Sequence, residues 1–403
     1  MSRSKQAGSY RSYSYLEPGR DYRAFELAPE IGRVPAYQAR LSPVHRQRAR
    51  ALLDESIVIS LHDHPTVFPL RIEECIEYNR AGRQVTGFAG LARSGMTAVI
   101  DNFMDGTCCI TSTMGWKWAD VIHDLGMRLS DLAHQDDVFL ATSVADILEA
   151  HRSGRLALIA GLEAATMIEN ELDRIDILYG FGVRQMGIAY SEANALGAGL
   201  RERNDGGLTE LGVRAVERMN RLGMAIDVSH SGDRTSLDVI DASTRPVLIT
   251  HAGSRTVWDT ARMKPDSVIV ACAARGGVIG LEAAPHTTIS QAHPAHSLES
   301  VMDHFRHCVD LVGIDHVAFG PDTLFGDHVG LHRAFAAQLS IGALQGGRFF
   351  EHVDYVDGLE NPGETFHNIT DWLVAHDYSD DDVRAVIGGN VLRVLGEVWT
   401  TPS

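Results

Sequence analysis

Eight short apolar segments alternate with helical patterns along this 403-residue chain, and this alternation limits the possible folds more than any other feature. The segments that we predict to be strands are residues 57–65, 95–103, 156–163, 183–190, 224–230, 246–251, 277–283 and 316–322. Helical patterns lie between them and act as crossovers. Eight strands with such crossovers predict an α/β fold, a (β/α)8 TIM barrel, with an open doubly wound sheet as the alternative.

The first strand shows how these elements are assigned. Three β-branched residues in succession, Ile57, Val58 and Ile59, suit a strand buried on both faces, and Pro65 is expected to end it. Ser42 and Ser379 are of the residue type that caps helix N-termini. The predicted helices cover residues 42–55, 208–222, 231–242, 266–275, 298–312, 362–376 and 379–395, with a break at 388–390.

Two regions of the chain differ in composition. Residues 41–403 are expected to form a single barrel domain, since no internal repeat or second domain is evident. Residues 1–40 form an N-terminal arm that begins with tyrosines among arginines and serines and shows no helical or strand period. Such a segment cannot form a core alone, so it is either disordered or docked on the body or on a neighbouring subunit, and its tyrosines favour docking.

Charge and cysteine content narrow the partners and the compartment. A formal net charge of −17 argues against nucleic acid or an anionic membrane as the main partner, because both need a basic face. Five cysteines, with Cys108 and Cys109 adjacent, do not make a disulfide framework. We find no secretory signal, membrane span or hydrophobic anchoring tail. We therefore expect a cytoplasmic protein without a membrane anchor.

Polar residues stand at the ends of most predicted strands. They are His62 and His64, Glu163, Tyr190, His230, His251 and Asp322. In a barrel these strand ends share one rim, which is where such enzymes place their catalytic groups. Imidazoles and carboxylates are also ordinary zinc ligands. The sequence therefore predicts a metal site at the rim; for the first two histidines alone, loop residues bonded to solvent or backbone are the alternative.

Six ordered motifs resemble the renal (membrane) dipeptidase family, peptidase family M19, within the amidohydrolase-like superfamily of metal-dependent hydrolases. They are GLE at 161–163, GVR at 182–184, MAIDVSH at 224–230, PVLITH at 246–251, VGIDHVAFGPD at 312–322 and GGNVLR at 388–393. The resemblance extends from about residue 50 to 397 and leaves the N-terminal arm outside.

The resemblance implies a barrel that binds two Zn²⁺ ions, with other divalent transition metals as alternatives. It implies that one ion is bound by His62 and His64, that Glu163 bridges both ions, and that His230 and His251 bind the other. A shared water or hydroxide would attack an amide carbonyl.

The resemblance also implies roles for residues beside the metals. Asp322 would take the proton of the attacking water and pass it to the leaving amine, although a structural acid that pairs with a ligand histidine is the alternative. Arg262 matches the arginine that grips the substrate carboxylate, because a guanidinium forms two parallel hydrogen bonds with a carboxylate. A surface salt bridge to Asp259 or Asp266 is the alternative for Arg262.

Two positions depart from the family pattern. His64 stands where the family usually has aspartate, so the site carries one negative charge fewer. At the end of the fourth strand, Tyr190 stands where mammalian members have a histidine that binds the substrate carbonyl, and Asn194 follows four residues later, as in microbial members. Tyr190 could donate a hydrogen bond to an oxyanion or could only pack at the rim, and Asn194 is a further candidate for substrate binding.

We therefore expect a dinuclear zinc dipeptidase-type hydrolase that cleaves an amide bond in a small carboxylate-bearing substrate, and that forms a homo-oligomer. The altered ligand and Tyr190 keep a second class open: the same centre acting on a non-peptide amide or a lactone, or as a decarboxylase. A metal-stabilised scaffold without turnover is the third class.

Overall fold

The structure is a computed structural model that describes residues 10–103, 117–335 and 349–399. Its strands are β1 Ile59–Val67, β2 Val85–Thr86, β3 Ala98–Phe103, β4 Val138–Leu140, β5 Leu156–Leu162, β6 Val183–Gly187, β7 Ala225–Asp227, β8 Leu248–Ala252, β9 Val278–Leu281, β10 Val317–Phe319 and β11 Leu324–Phe325. Its α-helices are α1 Pro43–Glu55, α2 Cys75–Ala81, α3 Phe88–Leu91, α4 Trp118–Leu132, α5 Val144–Ser153, α6 Asp173–Gly180, α7 Glu210–Leu222, α8 Asp233–Ala242, α9 Asp266–Ala274, α10 Leu298–Val312, α11 His328–Phe335, α12 Thr365–Ala375, α13 Asp380–Arg384 and α14 Asn390–Val398.

The strands form one curled parallel sheet. The hydrogen-bonded order is β10-β9-β8-β7-β6-β5-β3-β1-β11, and every pair along this path is parallel. The two ends of the path, β10 and β11, are joined by residues 320–323 alone, so the sheet returns to its own edge. There the backbone N–H of Asp322 donates to the carbonyl of His62 at 3.0 Å, and the N–H of His64 donates to Thr323 at 2.8 Å. These bonds close the predicted barrel.

Both faces of the strands are buried. Alternate residues of several strands, such as Leu61, Ile100 and Ile159, form one apolar cluster with the C-terminal helix α14. The other strand residues pack in a larger cluster with the surrounding helices. This double burial explains why the strand segments are apolar throughout instead of alternating with polar residues.

The predicted strands are present, but several predicted ends are wrong: β10 ends at Phe319, before Asp322, and β6 ends at Gly187, before Tyr190. All eight predicted strands are present, and the helix caps Ser42 and Ser379 accept the expected backbone hydrogen bonds. The prediction that Pro65 ends the first strand is wrong, because β1 continues to Val67. Pro65 lacks an N–H to donate, but its carbonyl accepts from Gly87, and the next two residues pair with β2.

The predicted break in the last helix is also present. The backbone leaves the α-helical pattern at Ala385–Gly389 and resumes it in α14. A Cβ atom on Gly388 would lie 2.1 Å from the carbonyl oxygen of Ile57, so only glycine allows this close approach to the start of β1.

The first described residues of the N-terminal arm, 10–15, lie on the barrel around one buried carboxylate. Asp131 of α4 accepts hydrogen bonds from the Tyr10 hydroxyl at 2.6 Å, the Ser12 hydroxyl at 2.5 Å and the Tyr13 backbone N–H at 2.7 Å. Tyr15 stacks on His134 with ring centroids 3.9 Å apart. Burial, assisted by Asp131, raises the pKa of Tyr10. The boundary at residue 40 and contact with a neighbouring subunit stay predictions.

Two further expectations concern the whole chain. Cys272 and Cys308 are buried free thiols and Cys75 is also buried, whereas the adjacent pair Cys108 and Cys109 lies outside the described residues. Among the described residues, no helix has both the length and the apolar composition that a membrane span requires.

Replacing Asp131 with asparagine should release the first described residues of the arm, because the side chain loses its charge and its new NH₂ group faces groups that also donate. We expect the free energy of unfolding to fall by about 1–3 kcal/mol and trypsin to cleave faster after Arg11 and Arg20. Urea denaturation and timed proteolysis measure both effects. Asp136→Asn, at an exposed position near the end of α4, is the control and should change neither. Unchanged cleavage in Asp131→Asn would contradict this role.

Candidate metal centre

The first histidine pair comes from a bulge in β1. Ser60 pairs with Val99 of β3, but the next pair is Asp63 with Asp101, so three steps along β1 match two along β3. An extra residue of this kind bends a strand and re-aims its side chains. The Nε2 atoms of His62 and His64 lie 3.2 Å apart, on the same side of the strand as predicted.

The second histidine pair comes from β7 and β8. His230 follows β7, and His251 lies in β8 next to another register shift, between Ile249 and Ala252. Their Nε2 atoms are 2.9 Å apart. The His251 ring also stacks on His62, with centroids 3.5 Å apart, so the two pairs adjoin.

Two carboxylates lie among the four imidazoles. Glu163, directly after β5, places Oε1 3.8 Å and 3.5 Å from the Nε2 atoms of His62 and His64, and Oε2 3.4 Å from Nε2 of His230. Asp322 Oδ1 lies 3.2 Å and 3.1 Å from Nε2 of the first pair. Glu163 therefore faces both histidine pairs, whereas Asp322 approaches only the first pair through hydrogen-bond-length contacts.

These donors fit transition-metal ions. Two nitrogens bound tetrahedrally to one zinc at about 2.0–2.1 Å are roughly 3.3 Å apart, close to the spacing in each histidine pair. Burial lowers the pKa of His62, His230 and His251, so these imidazoles are neutral at pH 7 and keep a lone pair for a metal. Three overlapping donor triads have ligand atoms within 4.8 Å of one another: His62, His64 and Asp322; His62, Glu163 and His251; His251, Glu282 and Asp322.

A relay of hydroxyl groups connects His251 to a buried carboxylate. Nδ1 of His251 lies 2.8 Å from the Thr250 hydroxyl, which lies 3.1 Å from the Ser229 hydroxyl, which donates to Asp227 at 2.6 Å. Because the carboxylate only accepts, each hydroxyl donates toward it and Nδ1 of His251 must donate to Thr250. That tautomer leaves the Nε2 lone pair of His251 available to a metal.

The backbone at Asp322 is held in an unusual conformation. Its φ of 58° lies in the left-handed region, which non-glycine residues rarely adopt. Asp63 secures this turn: it accepts from the N–H and hydroxyl of Thr323 at 2.8 and 2.7 Å, and from the Ser60 hydroxyl at 2.6 Å. Asp63 thus points away from the histidines and fixes the chain beside Asp322.

Arg262 is buried in an ion pair that the sequence analysis did not anticipate. Its guanidinium contacts the carboxylate of Glu282, and Nη2 also donates to the backbone carbonyl of His251 at 3.0 Å. The suggested surface salt bridge to Asp259 or Asp266 is wrong, because Arg262 is 5% exposed and its carboxylate partner follows β9. Its predicted contact with substrate stays a prediction.

Tyr190 and Asn194 lie in the loop after β6. The Tyr190 ring stacks on His230 with centroids 4.0 Å apart, so it lies at the metal centre. Asn194 instead braces the loop: its amide nitrogen donates to the Ile188 carbonyl at 2.7 Å, and its oxygen accepts from Leu196 and Gly197. Substrate binding by either residue stays a prediction, and for Asn194 it would require breaking these loop bonds.

Several residues of the site were missed or undervalued from the sequence. Asn102, at the end of β3, has its side-chain amide 2.7 Å from Nδ1 of His62, and a polar pair at that strand end was the available signal. Buried Lys264 donates to the Ser231 carbonyl at 2.6 Å, directly after His230, and burial lowers its pKa to about 7. No periodic signal marks Lys264.

Several known proteins are similar in sequence to this chain. A family model for membrane dipeptidase (peptidase family M19) matches residues 120–334. Dipeptidase verJ of Clonostachys rogersoniana is 30% identical over 283 residues, which are 69% of this chain and 63% of the relative. Human dipeptidase 3 is 26% identical over 285 residues, 69% of this chain and 51% of the relative. The matched region is thus less than two thirds of either relative's length.

Solved structures share the fold. An amidohydrolase from Pseudomonas aeruginosa superposes with a TM-score of 0.71 at 24% identity, covering 87% of this chain and 99% of that chain. A metallo peptidase from Rhodobacter sphaeroides, liganded with a phosphinate mimic of the dipeptide L-Ala-D-Ala, gives 0.65 at 19% identity, covering 85% and 100%. Since the family model spans more than half of the sequence, this chain belongs to the membrane dipeptidase family, peptidase family M19.

Proposed function

We propose that this protein is a dinuclear zinc hydrolase of the dipeptidase type, which cleaves an amide bond in a small substrate. The observation that carries the proposal is the convergence of four imidazoles on Glu163, with nitrogen spacings that suit shared metal ions. Membership of a dipeptidase family supports it. Other divalent transition metals would suit the same nitrogen and oxygen donors.

The chain's own residues would hold two ions. His62 and His64 would bind one, His230 and His251 the other, and Glu163 would contribute one oxygen to each. Bound zinc would supply Lewis acidity, which lowers the pKa of a bound water molecule and polarises an amide carbonyl. The relay from Asp227 to His251 and the Asn102 contact at His62 would keep the ligand rings oriented.

Asp322 is proposed to move the proton. Burial alone would raise the pKa of this carboxyl group, but His62 and His64 lower it well below its usual range, so Asp322 is ionised at neutral pH and able to accept. The left-handed backbone held by Asp63 aims it at the histidines. Asp322 would take a proton from the attacking water and deliver it to the nitrogen of the leaving amine, which balances the hydrolysis.

Tyr190 and Arg262 are proposed to orient the substrate. The Tyr190 ring is fixed against His230, where its hydroxyl would donate to the oxygen of the scissile carbonyl as negative charge develops. Arg262, behind His251, would bind the carboxyl end of the substrate, free or amidated. Asn194 would shape the loop that carries Tyr190.

We also propose a cytoplasmic location and a homo-oligomeric state. Two buried free thiols among the described residues, Cys272 and Cys308, suit a reducing compartment. Cell fractionation tests the location, and light scattering of the purified protein tests the oligomeric state.

The proposed activity predicts metal-dependent release of amines. Zinc-loaded protein should hydrolyse members of a panel of dipeptides and their C-terminal amides, a chelator should abolish turnover, and added zinc should restore it. Glu163→Gln should lose both activity and bound zinc, because the neutral amide replaces the carboxylate proposed to bind both ions. Glu171→Gln, at an exposed position, is the matched control. Two bound zinc ions without hydrolysis of any panel member would contradict the proposal.

Asp322→Asn separates a proton carrier from a metal ligand. If Asp322 carries the proton, the variant should lose about 10²–10⁴-fold in kcat while retaining two zinc ions per chain. Kinetics and elemental analysis of the same sample measure both. Loss of one zinc ion would instead make Asp322 a ligand, and retained turnover would exclude the proposed role.

Thr250→Val should weaken zinc binding without unfolding the protein. The methyl group replaces the hydroxyl that fixes the His251 tautomer, so we expect a loss of about 10–100-fold in zinc affinity, measured by competition with a chromogenic chelator. Thr370→Val removes another buried hydroxyl, which donates to Phe366 within α12, and is the matched control. Equal zinc affinity in both variants and the wild type would rule out the relay.

A further inference from the structure

The buried pair of Arg262 and Glu282 adjoins the proposed metal centre. Glu282 follows β9 and is fully buried, and one of its carboxylate oxygens lies within 4.8 Å of ligand atoms of His251 and Asp322. Arg262 comes from the loop after β8 and donates to the His251 carbonyl. The pair therefore connects two strand ends beside the position where a substrate would meet the metals.

The nitrogens of Arg262 are unequally occupied. Nη2 is bound by Glu282 and by the His251 carbonyl, whereas Nη1 is buried and has no hydrogen-bond partner among the described residues. A buried donor without a partner is costly, so Nη1 suits an acceptor supplied by a ligand. One acceptor atom would give Nη1 a hydrogen bond that it lacks among the described residues.

A free carboxylate and a neutral carbonyl group would bind to the Arg262 guanidinium with different affinities. The positive charge of Arg262 is already compensated by Glu282, so a second carboxylate would face the first across one guanidinium in a poorly solvated site. Like charges repel strongly in such a site, because the effective dielectric constant is low. The carbonyl oxygen of an amide, ester or lactam satisfies Nη1 without this repulsion.

We propose that Glu282 is a specificity-determining residue, which makes the protein select substrates whose end at Arg262 is a neutral carbonyl over those with a free carboxylate. This inference rests on the proposed function and narrows its substrate class. The substrate still contains the scissile amide, but its carboxyl end is an amide, ester or lactam instead of a free carboxylate. Glu282 acts by repelling the disfavoured ligand, as specific sites commonly do.

Binding of a matched ligand pair tests the proposal on the wild-type protein. The probe is the reduced dipeptide of two alanines, in which a methylene replaces the carbonyl of the scissile amide, as the free acid and as the C-terminal amide. Binding is measured by calorimetry at pH 8. Glu282 is ionised at this pH, because burial raises its pKa only to about 7. The amide should bind the zinc-loaded protein at least tenfold more tightly than the acid. Equal or tighter binding of the acid, or no binding of either, would overturn the proposal.

Variants then assign the preference to Glu282. Glu282→Gln should improve acid binding at least tenfold and change amide binding less than threefold, whereas Glu282→Asp, which retains the charge, should keep the wild-type ratio. Glu360→Gln is the control, because Glu360 is also a buried partner of an arginine, Arg33. An unchanged ratio in Glu282→Gln would reject the assignment. If the ratios of amide to acid binding are as expected but the protein hydrolyses neither the unreduced dipeptide nor its C-terminal amide, the proposed function is contradicted and the specificity proposal is not.

Discussion

The closure of the barrel at β1 is the constraint on which the site depends. The backbone bonds from Asp322 to His62 and from His64 to Thr323 join the first strand to the segment after the last one. Without them, the first histidine pair would lie at an open edge, far along the sheet from Asp322. With them, residues separated by some 260 positions share one rim and approach within 3.2 Å.

Register shifts in the strands orient the side chains that barrel closure brings together. Regular strands alternate their side chains, so a residue is aimed at the rim only if it falls on the correct phase. The bulge between Ser60 and Asp63, and the register shift between Ile249 and Ala252, change that phase next to His62 and His251. Asp322 reaches its position through a left-handed backbone instead. The site is therefore assembled where the backbone departs from regular geometry.

The sequence predicted the architecture because the relevant signals are local. A run such as Ile57 to Ile59, a cap such as Ser379 or a glycine pair at 388–389 acts within a few residues, and all eight strands followed from such signals. The rim residues followed as well, since position at a strand end predicts position in the barrel. The lengths of the strands were harder to predict. Strand β1 continues past Pro65 because it pairs with β2 and β11, which are distant from it in sequence.

Pairings between distant loops could not be predicted in the same way. Nothing near Arg262 in the sequence identifies Glu282 as its partner, whereas Asp259 and Asp266 are near and both were wrong choices. Asp131 and the arm present the same difficulty, because the contact between Tyr10 and Asp131 joins residues 121 positions apart. Such contacts follow from the completed fold, so they have no period or spacing that a sequence pattern would show.

The charge of the site links its unusual features. At pH 8, Glu163, Asp322 and Glu282 contribute three negative charges and Arg262 one positive charge, whereas burial lowers the pKa of His62, His230 and His251 and keeps them neutral. His64 stands where the family pattern predicts an aspartate, and a carboxylate from the other end of the sheet, Asp322, places Oδ1 3.1 Å from its Nε2 atom. Glu282 compensates Arg262, which would otherwise be a buried cation without a charged partner, and removal of either member of such a pair is costly.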